Sequence, residues 1–469
     1  MRRFALLMLI CFWSQTIQGQ DVVLKPIVFG IHRTASGLWH WQDSPLTLAG
    51  WGAKGDARYG SWHVSGNLIL LRFFGLEGRW LNKFSPEHGF QWSQPTSGTI
   101  DQRDTDFSEV KIVYDAGNID FFFGKFSQSW GPSEHSLTIS NTPPTYPQFG
   151  IDWQISPSIS FTHFHGELFS SLVDTHRTNT YAGIYGTQNI YVDRYLVAHR
   201  LEWTPFEQLI LGFTETLVYG ARRLESLYLI PFVPLLFAEH YMSDSDNLQQ
   251  SADLAWKPKK DFSLYLVFLM DEWDPKLTFK KINRNWFAWQ TGLKWGSMIK
   301  QRDRFRMELT WTDHRTGRHR FPMNDFYSYD YPVGHWTGPH AQSLVASYLI
   351  PIWCAWGRIS YISAKRGELT RQMILDQYAN VYYERFSGEH TESIHSLECT
   401  VTIEVLPKML PDLWIEFGLN QINWKNAGFD PFRPELNTLS DISKKSITLA
   451  FFYHFNLPGH HLGSIRSLY

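Results

Sequence analysis

The sequence is short of cysteine, of net charge and of long apolar runs. Three cysteines among 469 residues cannot build a disulfide framework. Cys11 lies in the leader, so Cys354 and Cys399 allow at most one bridge. A formal net charge of −2 gives no overall field for nucleic acid, and none is expected as a partner. The longest apolar run outside the leader, "LYLIPFVPLLFA" (227–238), is broken by Pro231 and Pro234. It falls short of the roughly 18 residues a spanning helix needs. No G-x-S-x-G elbow is present, so no nucleophile is set for acyl chemistry and no catalytic residue is assigned.

Aromatic residues, by contrast, are abundant: 16% of the chain, with 21 Trp and 21 Tyr. Rings with one apolar and one polar edge suit the boundary between hydrocarbon and water. The N-terminus, "MRRFALLMLICFWSQTIQGQD", has the basic start, apolar run and small-residue end of a secretory signal peptide. Residues 1–19 are expected to be removed on export. An exported chain without a spanning helix is either soluble or an outer-membrane barrel.

Periodicity decides between these. In "SLECTVTIEVL" (396–406), Leu397, Cys399, Val401, Ile403 and Val405 alternate with Ser396, Glu398, Thr400, Thr402 and Glu404. "FRMELTWT" (305–312) sets Phe305, Met307, Leu309 and Trp311 against Arg306, Glu308, Thr310 and Thr312. A sheet with one apolar and one wet face needs this alternation. Runs of about ten residues match tilted transmembrane strands, and about 18 of them are legible. Tight turns such as "DAGN" (115–118) and "KPKKD" (257–261) alternate with long polar loops, the arrangement of outer-membrane barrels. Charges then line a hydrated lumen and apolar residues face lipid, including Ile447, Leu449, Phe451, Tyr453 and Phe455 of "ITLAFFYHF". Trp203, Trp273, Trp295, Trp311, Trp353, Trp414 and Trp424 are read as interfacial girdles. The fold expected is all-β: one antiparallel transmembrane barrel over residues 20–469, with the 227–238 segment folded inward to occlude the lumen.

Several stretches in order carry a more specific likeness: "FFFGKFSQSWGP" (121–132), "SNTPPTYPQF" (140–149), "RYLVAHRLEWTPFEQLILGFTETLVYGAR" (194–222), "FAEHY" (237–241), "FLMDEW" (268–273) and "YSYDYPVGHWTGPHAQSL" (327–344). Together they resemble the capsule-assembly Wzi family of outer-membrane proteins, most clearly over 60–365. The resemblance implies an 18-stranded barrel acting as a lectin for capsular polysaccharide at the cell surface. Better-known members carry a helical bundle near the N-terminus, whereas "DVVLKPIVFGIHRTASGLWHW" (21–41) reads here as strand and loop.

A glycan site needs rings to stack on sugars and polar or cationic groups to bind hydroxyls and acids. The loop Arg315–His340 offers Arg318, Arg320, Tyr327, Tyr329, Tyr331, His335 and Trp336 as candidates; the competing reading is a folded loop whose rings pack together. Lys125, Arg200, Glu202, Glu215, Arg222, Glu239 and His240 are assigned to an ionic network bracing the lumen. "DSDN" (244–247) alternates oxygens but lacks a distal bidentate Glu, and His163 with His165 lacks a third ligand, so no metal or other cofactor is assigned. The partners expected are extracellular or capsular polysaccharide, outer-membrane lipid with lipopolysaccharide, and the barrel assembly machinery during insertion. A monomer in the outer membrane of a Gram-negative cell is expected. The alternative function is a diffusion channel for small solutes.

Overall fold

The computed structural model describes residues 17–18, 22–35, 44–75, 83–90, 102–180, 182–183, 186–243, 245–280, 285–376, 381–432 and 440–455. The leader apart from Ile17–Gln18 lies outside the described residues, as does Asp244. Eighteen long strands follow one another along the chain. The first six are β1 (Val22–Arg33), β2 (Leu46–Tyr59), β3 (Trp62–Phe74), β4 (Gln102–Asp115), β5 (Ile119–Phe126) and β6 (Tyr146–Ser156). Next come β7 (Ile159–Leu168), β8 (Arg194–Phe206), β9 (Leu209–Gly220), β10 (Asn247–Lys259), β11 (Phe262–Glu272) and β12 (Trp286–Gly296). The last six are β13 (Arg304–Thr312), β14 (Ala341–Ile352), β15 (Ala355–Gly367), β16 (Thr391–Glu404), β17 (Leu413–Ala427) and β18 (Ser440–Tyr453).

Each strand pairs antiparallel with its neighbours in sequence, and β18 returns to β1 through Val28↔Tyr453 to Arg33↔Thr448. Closure leaves no open edge, as a sheet in lipid requires. Val22–Arg33 forms a strand, as its sequence reads. Tight turns, such as Asp115 to Ile119 and Lys259 to Phe262, gather at one end and every long loop at the other. In bacterial barrels these are the periplasmic and extracellular ends.

The expected alternation holds on the wall. Leu397, Val401, Ile447 and Leu449 are exposed, whereas Ser396, Thr400, Thr402, Ser446 and Thr448 are buried. The pattern stops at His454, whose φ of 56° turns the chain. Phe455 therefore points inward and stacks on Phe29 at 5.0 Å, against the expectation that it faces lipid. Trp203, Trp273, Trp295 and Trp353 are exposed as girdle residues should be, but Trp414 and Trp424 are buried. They share the lumenal parity of Glu416 and Asn420. Cys354 and Cys399 are free and exposed.

The apolar segment after β9 does not fold inward. On β8 and β9 the exposed Leu201, Trp203 and Phe213 mark the lipid-facing parity, which Val197, Leu217 and Tyr219 share with uninterrupted register. Those three are fully buried because Tyr228, Leu235 and Ala238 lie against them. The stretch Ser226–Tyr241, a 3-10 turn followed by the short helix Leu235–Tyr241, is therefore a flap on the outer wall. Phe232 reaches down to Trp153 and Phe161, with ring centroids 5.8 and 5.7 Å away. The flap's outward side shows Leu229, Ile230, Phe237 and Tyr241. Pro231 and Pro234, which break the run in sequence, also remove two backbone donors that lipid could not satisfy. Beneath the flap lie polar side chains of the same outward parity. Glu215 accepts hydrogen bonds from the Leu235 amide and Gln250 Nε2, both at 3.0 Å. His199 lies 3.7 Å from Glu215, and His163 packs on His199 at 4.9 Å.

Candidate functional site

Three extracellular loops turn into the lumen and interlock. The segment 83–90 donates from the Gly89 amide to the Thr142 carbonyl, and His88 Nδ1 lies 2.8 Å from the Asn141 carbonyl. Ser140, in the loop between β5 and β6, bonds the Val333 and Gly334 carbonyls of the loop between β13 and β14. Gly334 is required there, since a Cβ would sit 2.4 Å from the Leu137 carbonyl. The layer touches the wall on every side. Phe90 packs among β1–β4, and Trp130, Ile139, Phe326 and Val333 pack on β5 to β9. Leu137 packs on β11 and β12, and Phe84 and Trp336 on β15 to β18. The barrel is thus filled at this level by its own loops.

Two polar anchors fix this plug. Arg194 at the top of β8 donates through Nε to the Met323 carbonyl at 2.7 Å and through Nη1 to the Tyr327 carbonyl at 2.8 Å; its Nη2 bonds the Asp325 carbonyl. Glu308, midway along β13 and 2% exposed, accepts from Tyr265 Oη at 2.5 Å and from the Glu134 amide at 2.6 Å. His135 adds its backbone amide at 3.3 Å and its Nδ1 at 2.9 Å. Neither anchor stands out in the sequence as more than a wet-face residue. The only signal in the plug loop is Trp130, Leu137 and Ile139 set without period in "SQSWGPSEHSLTI".

The structure scatters the candidate glycan residues between plug and surface. Tyr327, Tyr331, His335 and Trp336 are buried, at 9, 3, 4 and 1% exposure, so they cannot stack on a sugar in this conformation. Arg318 pairs with Asp325 at 3.1 Å and lies over Phe432. Arg320 is exposed above Phe321, and the half-buried Tyr329 stacks on Phe169 at 4.6 Å.

The candidate lumen network also comes apart. Arg200 faces the lumen and grips Asp253 at 2.7 and 3.1 Å, with Glu202 at 3.0 Å. Glu215 points the other way, under the flap. Lys125 shares the outward parity of the exposed Phe121 and Phe123 and donates to Ser108 Oγ at 2.6 Å. Arg222 pairs with Asp246 at 2.5 Å and Glu225 at 2.9 Å beside the flap. Glu239 is buried within the flap helix and His240 exposed at its end. Asp246 is thereby committed to Arg222 and Tyr228, and Asn247 to the Asn324 carbonyl. Parity explains the separation: neighbours along a strand face opposite solvents, whereas partners in register share a face, so Arg200 and Glu215 are divided.

The plug carries buried imidazoles. Burial pushes His88, His314 and His340 down to about 4 and His335 to about 3, the neighbouring His135 adding to the last. A histidine whose pKa is lowered on folding takes its proton more readily when released, so the plug's stability is full above about 6.5 and is lost as pH falls toward 4. Acidification from pH 7 to 4 should therefore loosen the plug. Conductance of the purified protein should rise several-fold over that range and fall again on neutralisation; a flat trace would show that these imidazoles do not hold it.

Barrel closure, lipid-facing girdle and loop-filled lumen define an outer-membrane β-barrel. Its fold is shared with Pseudomonas aeruginosa OpdK solved with vanillate: TM-score 0.50, 11% identity, covering 94% of this chain and 99% of that one. Pseudomonas aeruginosa OccK3 (OpdO) aligns with TM-score 0.50 and 10% identity over 92% of this chain and 94% of its own. At such identity the likeness is one of fold. No curated protein sequence matches the chain. The model of the family described as capsule assembly protein Wzi matches residues 73–352, more than half of the sequence. The chain belongs to that family and is a capsule-related barrel.

Proposed function

We propose that this barrel holds an extracellular polysaccharide at the cell surface by binding it, without chemistry and without conducting it. The observation that carries the reading is the folded layer of loops reaching the wall on all sides, in a member of a capsule-assembly family. A diffusion channel would need that layer to leave the lumen. Exported polymer would meet the outer face of the plug, where Arg320 and Tyr329 lie nearest to solvent, supported from below by Arg318, Tyr327, Tyr331, His335 and Trp336. Repeating units give many weak contacts whose combined avidity exceeds each one alone.

Changing Arg320 and Tyr329 to alanine together should lower retention of surface polysaccharide several-fold on cells that make it. The variant should keep the heat-modifiable gel migration of an inserted barrel. Unchanged retention by a normally inserted variant would remove this face from the site. Steady conductance of the wild-type protein with no polymer binding would favour the channel.

A further inference from the structure

A cavity of about 340 Å³ lies below the plug toward the short-turn end. Lys257, Lys294, Arg304, Arg306 and Arg358 line it from β10, β12, β13 and β15, all with lumenal parity, and Lys260 stands at the rim. Against these six bases the lining has two acids, Asp261 and Glu134. The register makes the imbalance costly: Lys294 stands directly opposite Arg306 across the β12–β13 ladder, and like charges facing each other across strands destabilise a sheet. The plug already lends this cluster an anion. The Glu134 carboxylate pairs with Arg306, and Lys294 Nζ donates to the Pro132 carbonyl. Arg358 has Glu398 at 3.4 Å.

We propose that this cavity binds a multiply charged anion, bearing carboxylate or phosphate groups, that enters from the periplasmic side. Guanidinium and ammonium groups on separate strands form charge-assisted bonds to several anionic groups at once, and the low-dielectric walls concentrate their field. Glu134 occupies the position of one ligand carboxylate, so an incoming anion competes with the plug's own side chain. The site lies at the opposite end from the surface that would meet polymer, and does not depend on the polysaccharide reading.

The test is calorimetric titration of the full-length protein in detergent with trigalacturonate, tripolyphosphate and, as a neutral control, maltotriose. Saturable binding of at least one anion is expected, weakening with salt, with none for maltotriose. Binding of trigalacturonate alone would identify a carboxylated glycan, of tripolyphosphate alone a phosphate ligand, and of both a site selecting charge. Lys294→Gln with Arg304→Gln and Arg358→Gln should weaken binding at least tenfold, and Glu134→Gln should tighten it several-fold by removing the internal competitor. If the triple variant does not insert, Lys257→Gln with Lys260→Gln at the rim provides the weakening arm. Binding of neither anion, or binding indifferent to these inserted variants, would overturn the proposal. Arg320→Ala with Tyr329→Ala should leave this titration unchanged, which separates its failure from that of the surface site.

Discussion

Replacing Glu308 by alanine is expected to turn a blocked barrel into a conducting one. Its carboxylate collects Tyr265 Oη, two backbone amides and the His135 ring, and so ties the plug loop to the middle of β13. Truncation leaves these donors buried with nothing to accept from them. Each buried donor left unsatisfied costs about 1–3 kcal/mol. The wall spreads its stability over eighteen ladders, whereas the plug at this depth relies on few contacts, so the loss falls on the plug. Single-channel recording should show rare, small openings in the parent protein and long, large ones in Glu308→Ala. Glu308→Gln should lie between, because an amide keeps one acceptor but turns an NH₂ toward the remaining donors. A folded Glu308→Ala barrel as silent as its parent would mean that Arg194, the Glu134–Arg306 and Lys294–Pro132 contacts and the apolar packing hold the plug without it.

The second large effect concerns the flap. Replacing Ser226–Tyr241 with a short Gly-Ser linker should sharply reduce the inserted fraction, read as heat-modifiable protein in outer-membrane extracts. The linker would open Glu215, His199 and His163 to hydrocarbon on strands that lipid must wet. Basic residues on the lipid face of a barrel cost about 2–4 kcal/mol at mid-depth, and acidic ones less. Glu215 would keep Gln250 and His199 but lose the Leu235 amide, and all three groups would lose the cover that separates them from lipid. The same deletion combined with Glu215→Leu, His199→Leu and His163→Leu should restore insertion. Normal insertion of the first variant, or no rescue by the second, would show that the flap's role is not to cover these groups.

Most of the wall was legible because lipid and water impose a period of two that local sequence cannot hide. Parity in "FRMELTWT" and "SLECTVTIEVL" assigned each face correctly. Trp414 and Trp424 were misplaced by giving residue type more weight than parity, although each shares the even parity of the lumenal Glu416 and Asn420. The flap left a signal that went unread. Alternation fails over "ETLVYG" (215–220) and "RYLVAH" (194–199), as it does wherever a strand is covered on both faces. The plug was not legible at all. Its defining contacts, Glu308 with His135 and Arg194 with Tyr327, join residues far apart in sequence, and no spacing rule reaches across such separations. The placement of the candidate glycan residues was equally out of reach of the sequence. Rings in a polar loop suit sugar stacking and plug packing equally, and the choice depends on which wall the loop meets.

The seam between the first and last strands has a consequence for how the molecule is made. β1 and β18 share only six paired positions, and forming them closes a loop of nearly the whole chain, the kind of non-local step that sets folding speed. The three interlocking loops belong to hairpins formed long before that step. Once the seam is shut, they reach the lumen only through its mouths. The contacts of Phe84 and Trp336 with β15 to β18 form only once those strands are in place, so the plug is completed after the wall that holds it.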